Sequence, residues 1–138
     1  MAATIEWLLP GRVLRAHFWG EATGAEALAV NDEMQGWIGQ DGIAPVHVIL
    51  DLTGLEQLPP NIRGVMSKMR VDHPQKSGWT MVVGGSPAIR FIAAVTAQVL
   101  RQKVRLATSV DDACAFLRRA DLTLPPASSP APPAGTAV

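Results

Sequence analysis

The ten residues VHVILDLTGL, at positions 46–55, decide the fold of this chain. The first five are almost all apolar, which is typical of a strand that is covered on both faces of a sheet. The strand ends in Asp51, and a tight turn that includes Thr53 follows. A helix is predicted to begin near Pro60, because proline suits the first helical turn. Open α/β sheets place their working groups where a strand ends beside a helix start, so Asp51, Thr53 and Asn61 are candidate ligand or partner contacts. The alternative for Asp51 is that its carboxylate accepts backbone amides of the Thr53-Gly54 turn.

Working outward towards the N-terminus, residues 5–9 and 13–19 alternate between the two faces of a sheet and are joined by a Pro-Gly turn, which predicts a β-hairpin. Thr23 and Glu26 have the spacing of a capping box at a helix start. Apolar residues then recur along one helix face: Val30, Met34, Trp37 and Ile38.

On the C-terminal side, residues 79–83 are predicted to form a strand that ends in the turn Gly84-Gly85-Ser86. Ser86 is placed to cap a helix that runs to about residue 101. Free amides at such a turn suit an anion, so Gly84, Gly85 and Ser86 are candidate ligand contacts, with a compact turn as the alternative.

The helix after Ser86 carries apolar side chains outside its predicted core stripe. Phe91 and Val95 lie there beside Arg90, which makes these three residues a candidate interface. The alternative is that a neighbouring helix or the C-terminal tail covers them. A further strand is predicted at 104–108, and Ser109 is expected to cap a last helix.

The element order is therefore β-β-α-β-α-β-α-β-α, an α/β arrangement with a mixed, mostly parallel five-stranded sheet and about four helices. The expected organisation is a single domain over residues 1–122. A disordered tail rich in Pro, Ala and Ser is expected over residues 123–138, because that composition cannot bury enough apolar surface to fold.

Composition narrows the classes of function. The formal net charge is zero, which argues against a nucleic-acid binder, and no apolar run is long enough to span a membrane. Together with the single cysteine and the lack of a signal peptide, this makes the cytoplasm the expected location. Residues 1–56 carry eight acids against two arginines, whereas residues 57–110 carry eight basic residues against one acid. This asymmetry favours head-to-tail association or an acidic partner; the alternative is that solvated helix faces differ in sign.

The residues give little support for catalysis. His17, His47 and His73 lie on separate elements, and Cys114 falls on a predicted core stripe, so neither a metal nor another cofactor is expected. An enzyme that uses Asp51 with His17 or His47 is the least supported hypothesis. The four tryptophans are assigned to the core, with the lining of an apolar ligand pocket as the alternative.

Three short motifs carry a family resemblance. They are the strand that ends in Asp51-Leu52, the turn VVG at 82–84, and the helix DDACAFL at 111–117. In this order and spacing they resemble the STAS domains, and among them the small bacterial SpoIIAA-like, or STAS/SEC14-like, proteins, over residues 4–119. The resemblance implies a non-catalytic regulatory domain that acts through protein–protein contact, with a homodimer as one form.

The same resemblance raises two further expectations. In STAS antagonists a serine at the start of the second helix is phosphorylated, but the matching segment here, Pro59-Pro60-Asn61, has no serine or threonine. The phospho-switch is therefore not expected to carry over. The SEC14-like proteins imply the alternative function, a carrier of a lipid or another small apolar ligand.

Overall fold

The computed structural model describes residues 2–21, 23–57, 59, 61–99 and 103–125. The described residues form six strands, four α-helices and one 3-10 turn. In chain order these are β1 (Ala2–Leu9), β2 (Val13–Glu21), α1 (Gly24–Asp41), β3 (Val46–Asp51), β4 (Leu55–Gln57), α2 (Ile62–Lys68), the 3-10 turn (Pro74–Lys76), β5 (Ser77–Val83), α3 (Pro87–Val99), β6 (Lys103–Ala107) and α4 (Val110–Ala120).

The sheet has the strand order β1-β2-β3-β5-β6, with β1 antiparallel to β2 and the other neighbours parallel. This confirms the predicted mixed, mostly parallel sheet. The short strand β4 is an addition that the sequence did not predict: Leu55 pairs with Gly20 at the far end of β2. Three residues are too few to show an alternating pattern, so the strand depends on its pairing with β2.

Helices cover both faces of the sheet. On one face, α1 packs its predicted stripe of Val30, Met34 and Ile38 against the first strands, and α3 buries Ile89 over Val82. On the other face, α4 packs over β3, β5 and β6, with Ala113 and Leu117 fully buried. No helix in the described ranges is both long and apolar enough to cross a bilayer.

Local sequence signals set the helix boundaries. Thr23 and Glu26 form the predicted capping box of α1. Helix α2 begins at Ile62, because Asn61 caps it; Pro60, where the sequence placed the start, lies outside the described residues. The predicted end of α3 near residue 101 also lies outside them. Ser109 accepts a hydrogen bond from the Asp112 amide and begins α4, as predicted.

Packed structure continues past residue 122, where the sequence suggested that the domain ends. Leu124 is 6 % exposed and belongs to the core beneath α4, and Thr123 forms hydrogen bonds with Asp121 and Arg12. Residues 126–138, which make up most of the expected tail, lie outside the described residues.

Candidate functional site

Five of the candidate residues from the sequence lie together at the carboxyl edge of the parallel strands. We call Asp51, Thr53, Gly84, Gly85 and Ser86 the turn cluster. The Leu52 amide donates to the Val83 carbonyl at 2.7 Å, which joins the turn after β3 to the turn after β5. A Cβ atom on Gly84 would lie 2.7 Å from Thr53 Oγ1, so the two turns are in close contact.

Glycine is required in this contact for two reasons. Gly84 and Gly85 have φ angles of +73° and +81°, which L-residues with side chains rarely adopt. At Gly84, moreover, there is no space for a Cβ beside Thr53. At the end of the turn, Ser86 Oγ accepts the Ile89 amide at 3.2 Å and so caps α3, as the sequence predicted. These features agree with the alternative interpretation of residues 84–86 as a compact turn.

Asp51 is enclosed by hydrogen bonds. Its Oδ1 accepts the Thr53 amide at 3.1 Å, which confirms the sequence interpretation of Asp51 as a turn acceptor. Its Oδ2 accepts two hydrogen bonds from Arg15, at 2.6 and 3.2 Å, and the carboxylate is only 4 % exposed. Burial opposes ionisation, but the hydrogen bonds from Thr53 and Arg15 outweigh it, so the pKa of Asp51 is lowered. The ionised carboxylate is thus fully engaged within the fold.

Arg15 is the residue of this site that the sequence analysis did not assign. It also donates to Glu6 Oε1 at 2.8 Å, so one guanidinium links carboxylates on β1 and β3. Its hydrogen bond with Asp51 is the main reason why the pKa of Arg15 is raised. The available signal was the alternation along β2, which puts Arg15 on the same face as Val13, in a strand that is otherwise largely apolar.

The proposed pairing of Asp51 with a histidine does not form a catalytic arrangement. His17 lies directly beside Asp51 in the sheet, but its Nε2 donates to the Thr53 carbonyl at 3.1 Å. His47 lies at the opposite end of β3 from Asp51. Within the described part of the chain, no three His, Cys, Asp or Glu side chains come close enough to hold a metal ion.

The remaining candidate contact residue, Asn61, lies immediately before α2. Its Oδ1 accepts the Gly64 amide at 3.3 Å, so the side chain caps α2. The contact is internal to that helix, and the carboxamide of Asn61 is exposed.

The candidate interface on α3 begins one turn after the turn cluster. Phe91 is 69 % exposed, because it lies about 200° around the helix from the buried Ile89. Val95 is half-buried. Arg90 is also half-buried, and its Nε is buried without a hydrogen-bond partner among the described residues. We call Arg90, Phe91 and Val95 the α3 surface.

A second polar cluster occupies the opposite, amino edge of the strands. His47 is 2 % exposed; its Nε2 donates to Asp121 Oδ2 at 2.8 Å and its Nδ1 accepts the Trp79 amide at 2.9 Å. Arg12 also donates to Asp121 Oδ2 at 2.8 Å, and Thr123 donates to Oδ1. We call this the His47 cluster. It ties the end of α4 to the hairpin and to β3.

The His47 ring is held neutral. The Trp79 amide needs an unprotonated Nδ1, so the single proton lies on Nε2. Burial lowers the pKa of His47, and the hydrogen bond to Asp121 opposes this only in part. For Asp121 burial acts in the opposite direction, but hydrogen bonds from Thr123 and His47 prevail and lower its pKa to about 2. Both ring nitrogens of His47 form hydrogen bonds inside the fold, so the neutral imidazole stabilises the structure and has no free nitrogen for a substrate.

A small crevice lies between the hairpin and α4. Its volume is about 60 Å³, and it is lined by Leu8, Leu9, Val13, Cys114, Leu117, Arg118 and Leu124. This space holds a few water-sized molecules, far less than the several hundred Å³ of a typical ligand pocket. Its lining includes none of the four tryptophans that were the alternative candidates for lining an apolar ligand pocket. Burial raises the pKa of the Cys114 thiol at this crevice.

Comparison with known proteins gives matches among solved structures. The structure of the anti-sigma factor antagonist SpoIIAA in its unphosphorylated form superimposes with a TM-score of 0.61 and 16 % identity, covering 86 % of this chain and 97 % of that chain. The chain has the SpoIIAA-like STAS fold. The Bacillus cell fate determinant SpoIIAA in the phosphorylated form matches with a TM-score of 0.56 and 15 % identity, over 85 % of this chain and all of the other. No protein-family model and no curated protein matches the sequence.

These matches confirm the fold class that the sequence motifs indicated. At such low identity they establish the shared fold alone.

Proposed function

We propose that this chain is a non-catalytic regulatory domain that acts by contact with another protein. The observation that carries the proposal is the exposed aromatic ring of Phe91, which lies on α3 beside the turn cluster. Aromatic residues dominate the binding energy of protein interfaces, and most large apolar side chains of this fold are covered. The similarity to SpoIIAA, an anti-sigma factor antagonist, supports a regulatory role of this kind.

The chemistry of the buried polar groups also favours a role without catalysis. Asp51 is held by Arg15 and Thr53, and His47 is held by Asp121 and Trp79. A general base must reach a substrate proton, and these groups are already committed to neighbours inside the fold.

Regulation by the phosphorylation of a serine at the start of α2 is not part of the proposal. Asn61 caps that helix, and Pro59 precedes it. Ser67 lies in the last turn of α2, where its hydroxyl donates to the Gly64 carbonyl at 2.8 Å. A homodimer through the α3 surface is the alternative form of the same contact.

The test compares Phe91→Asp with Leu122→Asp. Leu122 is 88 % exposed and lies beyond α4, so its replacement is a matched control for adding a charge at an exposed apolar position. Each tagged protein is used to capture partners from its host, and a captured protein is then purified and titrated by calorimetry. We expect Phe91→Asp to weaken that binding by about tenfold or more, with Leu122→Asp equal to wild type.

Both variants should keep the melting temperature of the wild type, since exposed substitutions usually change stability by less than about 0.5 kcal/mol. Equal affinity of Phe91→Asp and wild type for the purified partner would remove the α3 surface from the proposal. A dimer mass that is lost in Phe91→Asp would instead identify a second copy of the chain as the partner.

A further inference from the structure

Strands β1 and β6 are the two edge strands of the sheet. β1 and β6 each pair on one side only, and no segment of the described ranges pairs with their outer sides. The outer backbone groups of such strands can pair with a strand of another molecule. β1 is eight residues long and Glu6 is its only charged residue, so it has little of the charge that usually prevents such pairing.

The strand register connects the two ends through one row of side chains. Directly paired residues cross the whole sheet in the order Glu6, Arg15, Ile49, Met81 and Arg105. The row lies on the face that α4 covers. It begins with the acid Glu6 on the edge strand β1 and ends with the base Arg105 on the edge strand β6.

The neighbouring row on the opposite face begins and ends with apolar residues. Its members are Ile5, Ala16, Leu50, Val82 and Leu106. Val82 is fully buried, whereas Leu106 at the end of the row is 44 % exposed. Leu106 is an exposed leucine at the edge of a row whose other members are buried or half-buried, and a neighbouring strand would cover it.

Both rows continue together if β1 of a second copy is placed beside β6. Because β1 is antiparallel to β2, and β6 lies parallel to β2 across the sheet, the new pair would be antiparallel. Arg105 would then lie opposite Glu6 of the second copy, and Leu106 opposite Ile5. A slip of one residue would turn each charged side chain towards an apolar one, so the alternation favours this register.

The charges favour this arrangement over the symmetric pairing of β6 with β6. Lys103 and Arg105 lie over the rings of Trp79 and Phe116, at 5.9 and 4.4 Å, and neither forms a salt bridge with a described acid. Glu6 is 52 % exposed and uses one carboxylate oxygen for Arg15. Pairing β6 with β6 would bring the bases of two copies together, which is unfavourable.

We infer that this chain associates head to tail with itself, the β6 edge of one copy binding the β1 edge of the next. Such a contact is heterologous, so it can add further copies and form open chains. It uses the sheet edges and is independent of the α3 surface.

The test is sedimentation velocity on the full chain over a concentration series, at low and at high salt. The sedimentation coefficient of the wild type is expected to rise with concentration, and to rise less at high salt because the edge charges are screened. Glu6→Arg and Arg105→Glu should each lose this rise, since each places like charges opposite one another. An equimolar mixture of the two variants should regain it, because every Arg then meets a Glu.

Glu33→Arg and Arg119→Glu are the matched controls, since they make the same charge changes at exposed helix positions. They and Phe91→Asp should associate like the wild type, which separates this inference from the proposed function. Melting curves establish that each variant is folded; if Glu6→Arg is not, Glu6→Gln should still weaken the association.

Three results would overturn the inference. One is a wild type that stays monomeric over the whole concentration series. Another is a mixture of two folded reversal variants that fails to associate. The third is an equal loss in the control variants, which would point to long-range charge rather than to pairing of the strand edges.

Discussion

Replacing Arg15 by methionine would leave the buried carboxylate of Asp51 without its cation. Loss of one partner from a buried ion pair destabilises a protein by about 3–5 kcal/mol. The Asp51 side chain is 4 % exposed but Arg15 is 24 % exposed, and the Thr53 amide remains bound to the carboxylate. We therefore expect the free energy of unfolding to fall by less than the full range, by about 2–3 kcal/mol at neutral pH.

The loss should depend on pH in a defined direction. In the wild type the pKa of Asp51 is lowered, so its contribution is present above the ordinary carboxyl pKa and disappears as the pH falls through the folded-state value. The hydrogen bonds from Arg15 help to lower the pKa of Asp51, so without Arg15 the carboxylate should take up its proton at a higher pH than in the wild type. The difference between the two proteins should thus shrink from about pH 7 to about pH 4.

The assay is urea unfolding followed by tryptophan fluorescence at both pH values. Glu6→Gln is the matched control: it removes the other carboxylate of Arg15, which is 52 % exposed, and should lower stability by less than about 1 kcal/mol. The reasoning fails if Arg15→Met loses no more than Glu6→Gln, or if its loss is the same at both pH values.

Two further predictions concern the turn cluster and the His47 cluster. Gly84→Ala should lower the free energy of unfolding by about 2 kcal/mol or more, because the positive φ strains the backbone and the new Cβ meets Thr53. Gly20→Ala, at a φ of +78° with open space around it, should lower the free energy of unfolding by about 1 kcal/mol, whereas Gly36→Ala, inside helix α1, should raise it slightly. Equal effects of the three substitutions in chemical denaturation would refute the assignment. His47 is neutral in the fold and its pKa is lowered, so the free energy of unfolding should decline as the pH falls below about 6.5. The decline should be smaller in His47→Gln. An NMR signal of His47 that titrates at the ordinary histidine pKa would contradict this prediction.

Much of the fold could be predicted from short segments. The capping box at Thr23, the apolar run before Asp51 and the cap at Ser109 each depend on neighbours within a few residues, so their patterns are visible in the chain itself. The position of Asp51 at a strand end could be predicted for the same reason. β4 could not, since its three residues are ordered by pairing with β2.

Apart from β4 and the 3-10 turn, local patterns in the chain were enough to predict the type and order of the elements, and hence an α/β fold with candidate residues at strand ends. Only the tertiary structure decided which side chains meet. Arg12 and Asp121 are 109 residues apart and Arg15 and Asp51 are 36 apart, so neither contact follows from a local pattern. The physical reason is that periodicity reports the burial of one segment, whereas ion pairs and sheet edges depend on strand order and register.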